Sequence, residues 1–159
     1  MHAAMSAVPG LTDVSPLTLA MRFVGEIAER PGGANHPAIV WAHELCRLRD
    51  TSDEVPWCSS FVNLVCWLLR LPRSQSAAAR SWLGIGVAVP LDDAVPGWDV
   101  VVLSRGTNPS AGHVGFYAGQ ERAGAGNSTV IICGGNQGDG VSVQAFPASR
   151  VVGIRRLPW

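Results

Sequence analysis

The apolar positions change period once along the chain, near Pro90. Before that point they recur every three to four residues, the stripe of a helix with one buried face. Ser15-Pro16 reads as a cap and first helical position for a helix to about Arg30, with Leu17, Met21, Val24, Ile27 and Ala28 on one side. Pro31-Gly32-Gly33 ends it. Asn35-His36-Pro37 opens a second helix to about Leu48, its apolar side carried by Ile39, Val40, Ala42 and Leu45. From Cys58 a third stripe runs through Phe61, Val62, Val65, Leu68 and Leu69, bounded by Pro56 and Pro72. A short fourth helix is predicted over Ser74 to Leu83, with Gly84 and Gly86 ending it.

Beyond Pro90 the pattern is of short apolar or alternating runs separated by Gly, Asn, Pro and Ser: Val100 to Leu103, His113 to Tyr117, Thr129 to Cys133, Val141 to Phe146 and Val151 to Arg155. Helices come first and strands second, without alternation. The expected class is α+β, with N-terminal helices packed on a small antiparallel sheet of about five strands. Residues 1–14 read as a loose arm and 15–159 as a single domain, long enough for a full core.

Composition narrows the functions. The formal net charge is zero, and all twelve basic residues are arginine, so no polybasic surface for nucleic acid or anionic lipid is expected. No run reaches the ~18 apolar residues of a membrane span, and Met1 to Pro16 lacks the charged start and long apolar core of a secretory signal. The expectation is a protein made in the cytoplasm without a signal peptide. Cys46, Cys58, Cys66 and Cys133 form no C-x-x-C pair and no ligand spacing with histidine, so neither metal nor cofactor is expected. A Cys46–Cys133 disulfide is open to the sequence, but buried thiols are the expectation.

Cys58 stands apart because it opens a helix. Backbone N–H groups in a first turn lack intrahelical partners, and the positive end of the dipole favours an anion. The thiol is therefore expected to ionise below the free value of about 8.5, and the same N–H groups suit an oxyanion. A small buried hydrophobe is the plainer alternative. Trp57, Ser59, Gln137 and Asp53 are the expected oxyanion and substrate-binding neighbours. Asp50, Asp53 and Glu54, just before the cysteine, either receive a cationic group in a cleft or form a solvated capping loop.

A thiol nucleophile needs a base, and the base needs an orienting group. His113 opens a strand after the Gly-containing segment Ala111-Gly112 and is the best candidate; His2, His36 and His43 lack that setting. On the following strand, Ile131-Ile132-Cys133-Gly134-Gly135-Asn136-Gln137 offers Asn136, whose amide oxygen can accept the imidazole N–H. Gln137 substitutes if the register shifts by one.

Four motifs in order, Pro56-Trp57-Cys58-Ser59-Ser60-Phe61-Val62-Asn63, Ala79-Arg80-Ser81-Trp82-Leu83, Gly112-His113-Val114-Gly115-Phe116-Tyr117 and Gly134-Gly135-Asn136-Gln137, resemble the NlpC-type and CHAP-type papain-like cysteine peptidases, particularly a compact bacterial and phage subgroup. The resemblance covers roughly residues 17–157. It implies a papain-like fold with Cys58 as nucleophile, His113 as base and Asn136 as third residue, and a cleft lined by Arg80, Ser81 and Trp82. It also implies action on an amide bond of the peptidoglycan stem peptide. Many relatives carry His or Glu as the third residue, and the usual Pro-Gly-Asp turn is Pro96-Gly97-Trp98-Asp99 here. The expected role is an injected antibacterial effector, working in the target cell's wall and paired with an immunity protein or a secretion carrier. A phage or prophage endolysin is the nearest alternative, and a non-hydrolytic binding module or a protein-directed deamidase or transferase a more distant one.

Overall fold

A computed structural model describes residues 14–124 and 126–158. Apart from Val14, the arm expected over residues 1–14 lies outside the described residues. Three α-helices come first: α1 (Pro16–Met21), α2 (Pro37–Leu45) and α3 (Cys58–Leu68). A 3-10 helix over Ala79–Gly84 then leads into β1 (Val87–Val89), β2 (Asp99–Ser104), β3 (Gly112–Ala123), β4 (Asn127–Gly134), β5 (Ser142–Pro147) and β6 (Val151–Arg156). The strands form one antiparallel sheet in the order β1-β6-β2-β3-β4-β5. The α+β class and the order of elements agree with the sequence pattern. The sheet has a sixth strand, β1, because three residues are too few to show an alternation.

The first helix is much shorter than its stripe. Ser15 caps α1 through its side chain, but the helix ends at Met21 and the chain turns through Gly25 at φ 77°. Residues 25–29 then pair with the loop between β4 and β5: Gly25 N–H donates to Val141 O, Val141 N–H to Ile27 O, and Glu29 N–H to Asp139 O. Tertiary pairing overrides the local helical pattern here. The predicted fourth helix is likewise shorter, because Ser74 to Ser76 are bonded to α3 through Asn63.

Each face of the sheet carries an apolar cluster. Val100, Val102, Val114 and Phe116 pack with Phe61, Val62 and Val65 of α3 on one face. Val101, Leu103, Tyr117 and Ile132 pack together on the other. Buried Asp99 takes a two-pronged bond from Arg156, both contacts 2.8 Å, and also accepts the Val95 N–H, which ties β2 to β6. No helix among the described residues is long and apolar enough to cross a membrane.

Candidate active site

Cys58 is the first residue of α3, as its spacing predicts. Trp57 is the N-cap but its side chain accepts no bond from the helix, so the first-turn N–H groups are left to other partners. The sulfur faces the backbone N–H groups of Val114, Ser59 and Cys58 itself. Val114 is available because β4 pairs with β3 only from Phe116 onward, with Phe116 opposite Cys133. The thiol thus sits at an interruption in the sheet, where the neighbouring strand has stopped.

His113 approaches the same interruption from the other face. It lies opposite Leu103 on β2, and its ring packs on Phe146 of β5 at 5.3 Å. Gln137, not Asn136, holds the ring: Gln137 Oε1 lies 2.9 Å from His113 Nε2. The amide orientation follows from its other end, since Gln137 Nε2 donates to Ser142 O at 2.8 Å and Ile132 O at 3.3 Å. Oε1 is therefore an acceptor, His113 Nε2 carries the proton, and Nδ1 keeps the lone pair a base requires. Asn136 adopts a left-handed backbone, φ 57°, and lines the adjacent cavity. The sequence offers Asn136 for its amide and Gln137 as the substitute; β4 stops at Gly134, and the turn beyond it delivers Gln137 to the ring.

Two glycines make this turn possible. A Cβ on Gly134 would lie 2.8 Å from Gln137 Oε1, and one on Gly135 would lie 2.5 Å from the Trp57 ring and 2.7 Å from Phe61 Cβ. Gly135→Ala should therefore overpack the junction between α3 and β4, lowering stability by about 1–3 kcal/mol. Thermal unfolding should register this as a fall of about 2–4 °C per kcal/mol.

Much of the sequence around Cys58 is framework. Trp57 is 1% exposed and donates its indole N–H to Glu29, so it offers no surface to a substrate. The Ser59 hydroxyl donates to Ser76 O at 2.6 Å and accepts the Trp82 indole N–H at 2.9 Å. Neither Ser59 nor Trp82 has a free side-chain group for an oxyanion or a cleft. Ser60 bonds buried His43, and His36 caps α2. Asp53 is 1% exposed and accepts the backbone N–H groups of Arg30 and His36. Burial alone would raise its pKa, but those bonds and the His36 charge together hold it below the usual carboxylate value. The loop acid therefore receives no cationic ligand. Arg80 Nε donates to Ala111 O and braces the approach to His113, while Ser81 bonds Ala78 O.

The open space beside the base is a cavity of about 230 Å³ lined by His113, Gln137, Asn136, Phe146, Arg105 and Arg150 among others. Cys58 is 5% exposed and does not line it. Arg105 and Arg150 are absent from the sequence expectation. They meet because β6 pairs with β2, placing residue 150 beside residue 104, and no short-range pattern reports that.

The ionisation states depart from the helix-dipole expectation. Burial pushes the Cys58 thiol up, and the N–H groups of Val114 and Ser59 and the charge of Arg105 only partly oppose it. Burial also lowers the His113 pKa below 6.5; the Gln137 bond opposes this, and the charges of Arg150 and Arg105 add to it. The first shift favours a neutral thiol at Cys58 and the second a neutral imidazole at His113. The other three cysteines are also buried and free; burial pushes Cys66 up to about 12 and Cys133 to about 11. No group of three or more His, Cys, Asp or Glu among the described residues is placed to hold a metal ion.

In comparison with known proteins, the chain matches no family model and no curated protein sequence.

Proposed function

We propose that the chain is a thiol hydrolase of papain-like organisation that cleaves an amide bond of the peptidoglycan stem peptide. The observation that carries the reading is the arrangement at the interruption in the sheet. There a helix-opening thiol faces backbone N–H groups, and the strand that supplies one of them through Val114 also carries the preceding residue, His113, whose tautomer Gln137 fixes. The stem peptide as substrate rests on the resemblance of the four motifs.

On this reading, the substrate carbonyl approaches the sulfur from the cavity that His113 lines. His113 Nδ1 takes the thiol proton as the carbon–sulfur bond forms, because neither group is charged at rest. Backbone N–H groups of the first turn hold the tetrahedral oxygen. The imidazolium then protonates the leaving amine, and water releases the acyl group by the same steps in reverse. The same reading makes the chain an antibacterial toxin delivered into a neighbouring cell, with an immunity protein that covers the cavity. The covered, weakly acidic thiol favours one competing reading, a binding module that performs no hydrolysis.

Digestion of purified sacculi followed by mass spectrometry of the fragments separates the two. New amine and carboxyl ends within the stem peptide support hydrolysis; intact sacculi that retain bound protein support the module. The pH profile is a further check. Because burial depresses His113, the acidic limb of kcat/KM should lie below pH 6.5, and both limbs should belong to the Cys58–His113 pair. A limb at or above pH 6.5 would contradict the neutral resting pair.

A further inference from the structure

The cavity beside His113 is polarised. Two of its lining residues are the arginines Arg105 and Arg150, and no aspartate or glutamate lines it. Among the described residues neither arginine is in an ion pair; the pairs present are Arg122–Asp92 and Arg156–Asp99. Arg150 is held in place: Nε and Nη2 both donate to Ser104 O, at 3.1 and 2.9 Å, and the guanidinium lies 5.3 Å from the centre of the Phe146 ring. Its Nη1 edge makes no hydrogen bond among the described residues. Arg105 is exposed, and its side chain likewise makes none. Arg105 lines the same cavity as His113, and its charge adds to the lowering of the His113 pKa.

Like charges gathered without a counter-charge favour an anion entering between them. Guanidinium groups match the planar two-oxygen edge of a carboxylate, and an arginine already fixed by other bonds loses little freedom on binding. The side-chain amides of Asn136 and Gln144 border the same space and can donate to such a group. Of the loop acids that the sequence offers as receptors for a cation, Asp53 is turned inward and none of the three lines this cavity, so the polarity of the site is the reverse of that expectation.

We propose that Arg105 and Arg150 form a carboxylate-binding subsite, so that the amide presented to Cys58 is one flanked by a free carboxylate. The proposal names the substrate class for the hydrolase reading and rests on it for the word substrate. Stem peptides, with their free carboxyl groups, fit the requirement, and versions of the same peptides with amidated carboxyls do not.

Two synthetic stem tetrapeptides test it, one with its carboxyl groups free and one with them converted to carboxamides. In the cleavage arm, the unsubstituted protein should process the acid form about ten-fold or more better in kcat/KM, the difference lying mainly in KM. Arg105→Gln, at an exposed position outside the fold's hydrogen bonding, should bring the two forms to within about three-fold. Arg105→Lys should retain most of the preference. Arg150→Gln should act in the same direction but also loosen the link to Ser104, so Arg105 carries the decision. In the binding arm, calorimetry with Cys58→Ala protein measures affinity for both peptides without cleavage. A preference for the acid form that Arg105→Gln removes supports the subsite, even if the unsubstituted protein cuts neither peptide nor sacculus and the hydrolase reading falls. Equal affinity for the two peptides, or no binding of either, overturns the subsite even if sacculi are digested.

Discussion

Cys58→Ala protein is expected to fold as the parent does and to lose sacculus digestion by at least about 10⁴-fold. The folding half follows from position. Residue 58 opens α3, alanine is the best helix former, and only a sulfur atom is removed from a site where three backbone N–H groups are its neighbours. The activity half follows from chemistry, since no other side chain at the interruption can form the acyl intermediate. Ser59 is the nearest hydroxyl in sequence, but it is fixed between Ser76 and Trp82. Cys58→Ser should be nearly as inactive, because a hydroxyl is smaller, far less acidic and a weaker nucleophile than the thiol it replaces. Digestion that persists in Cys58→Ala would remove the thiol from the mechanism.

The second large effect separates neighbours. Gln137→Ala should lower kcat by about 10²-fold or more while KM changes little, because the ring loses the acceptor that fixes its tautomer. It should also destabilise the protein by about 1–3 kcal/mol, since the carbonyls at Ile132 and Ser142 lose a donor and the imidazole N–H loses its acceptor. A purely structural role would produce the stability loss alone. The distinguishing readout is the acidic limb. The Gln137 bond raises the His113 pKa, so its removal should move that limb to lower pH. Asn136→Gly should leave both turnover and stability close to the parent, because glycine accepts the left-handed backbone at φ 57° without strain. Asn136→Ala should reduce stability by about 1 kcal/mol through that backbone and leave turnover within about three-fold. A loss of kcat in Asn136→Gly equal to that in Gln137→Ala would return the orienting role to Asn136.

The extent to which the sequence reveals this site depends on the range of the interactions involved. The start of α3 and five of the six strands are visible because they rest on local period and on Pro and Gly boundaries. His113 is visible because a glycine loop precedes it and a strand follows. The choice between Asn136 and Gln137 is not, because alternation ceases where the strand does and the turn geometry decides. Trp57, Ser59, Asp53 and Trp82 look like site residues from their closeness to Cys58 or to the cleft motif. The indole N–H groups, the Ser59 hydroxyl and one carboxylate oxygen of Asp53 are taken up by Glu29, Ser76, the Arg30 and His36 backbone, and one another, and all four residues are buried. Conversely Arg105 and Arg150 are 45 positions apart and meet only through strand pairing. The end of α1 is hidden for the same reason, its last predicted turns being drawn off by the loop after β4.

The strand order has a consequence for the timing of synthesis. β6 lies between β1 and β2, so residues 151–156 complete the interior of the sheet although they follow Cys58, His113 and Gln137 in the chain. Arg150 and Arg156, which tie that strand to Ser104 and Asp99, also come late. A ribosome-bound chain that has exposed every reacting group still lacks the strand that closes the sheet beneath them. Such long-range closure is slow compared with helix formation. A cell translating this chain therefore meets the assembled cavity only after residue 156 has left the exit tunnel, and any molecule that recognises the finished cavity has no earlier target.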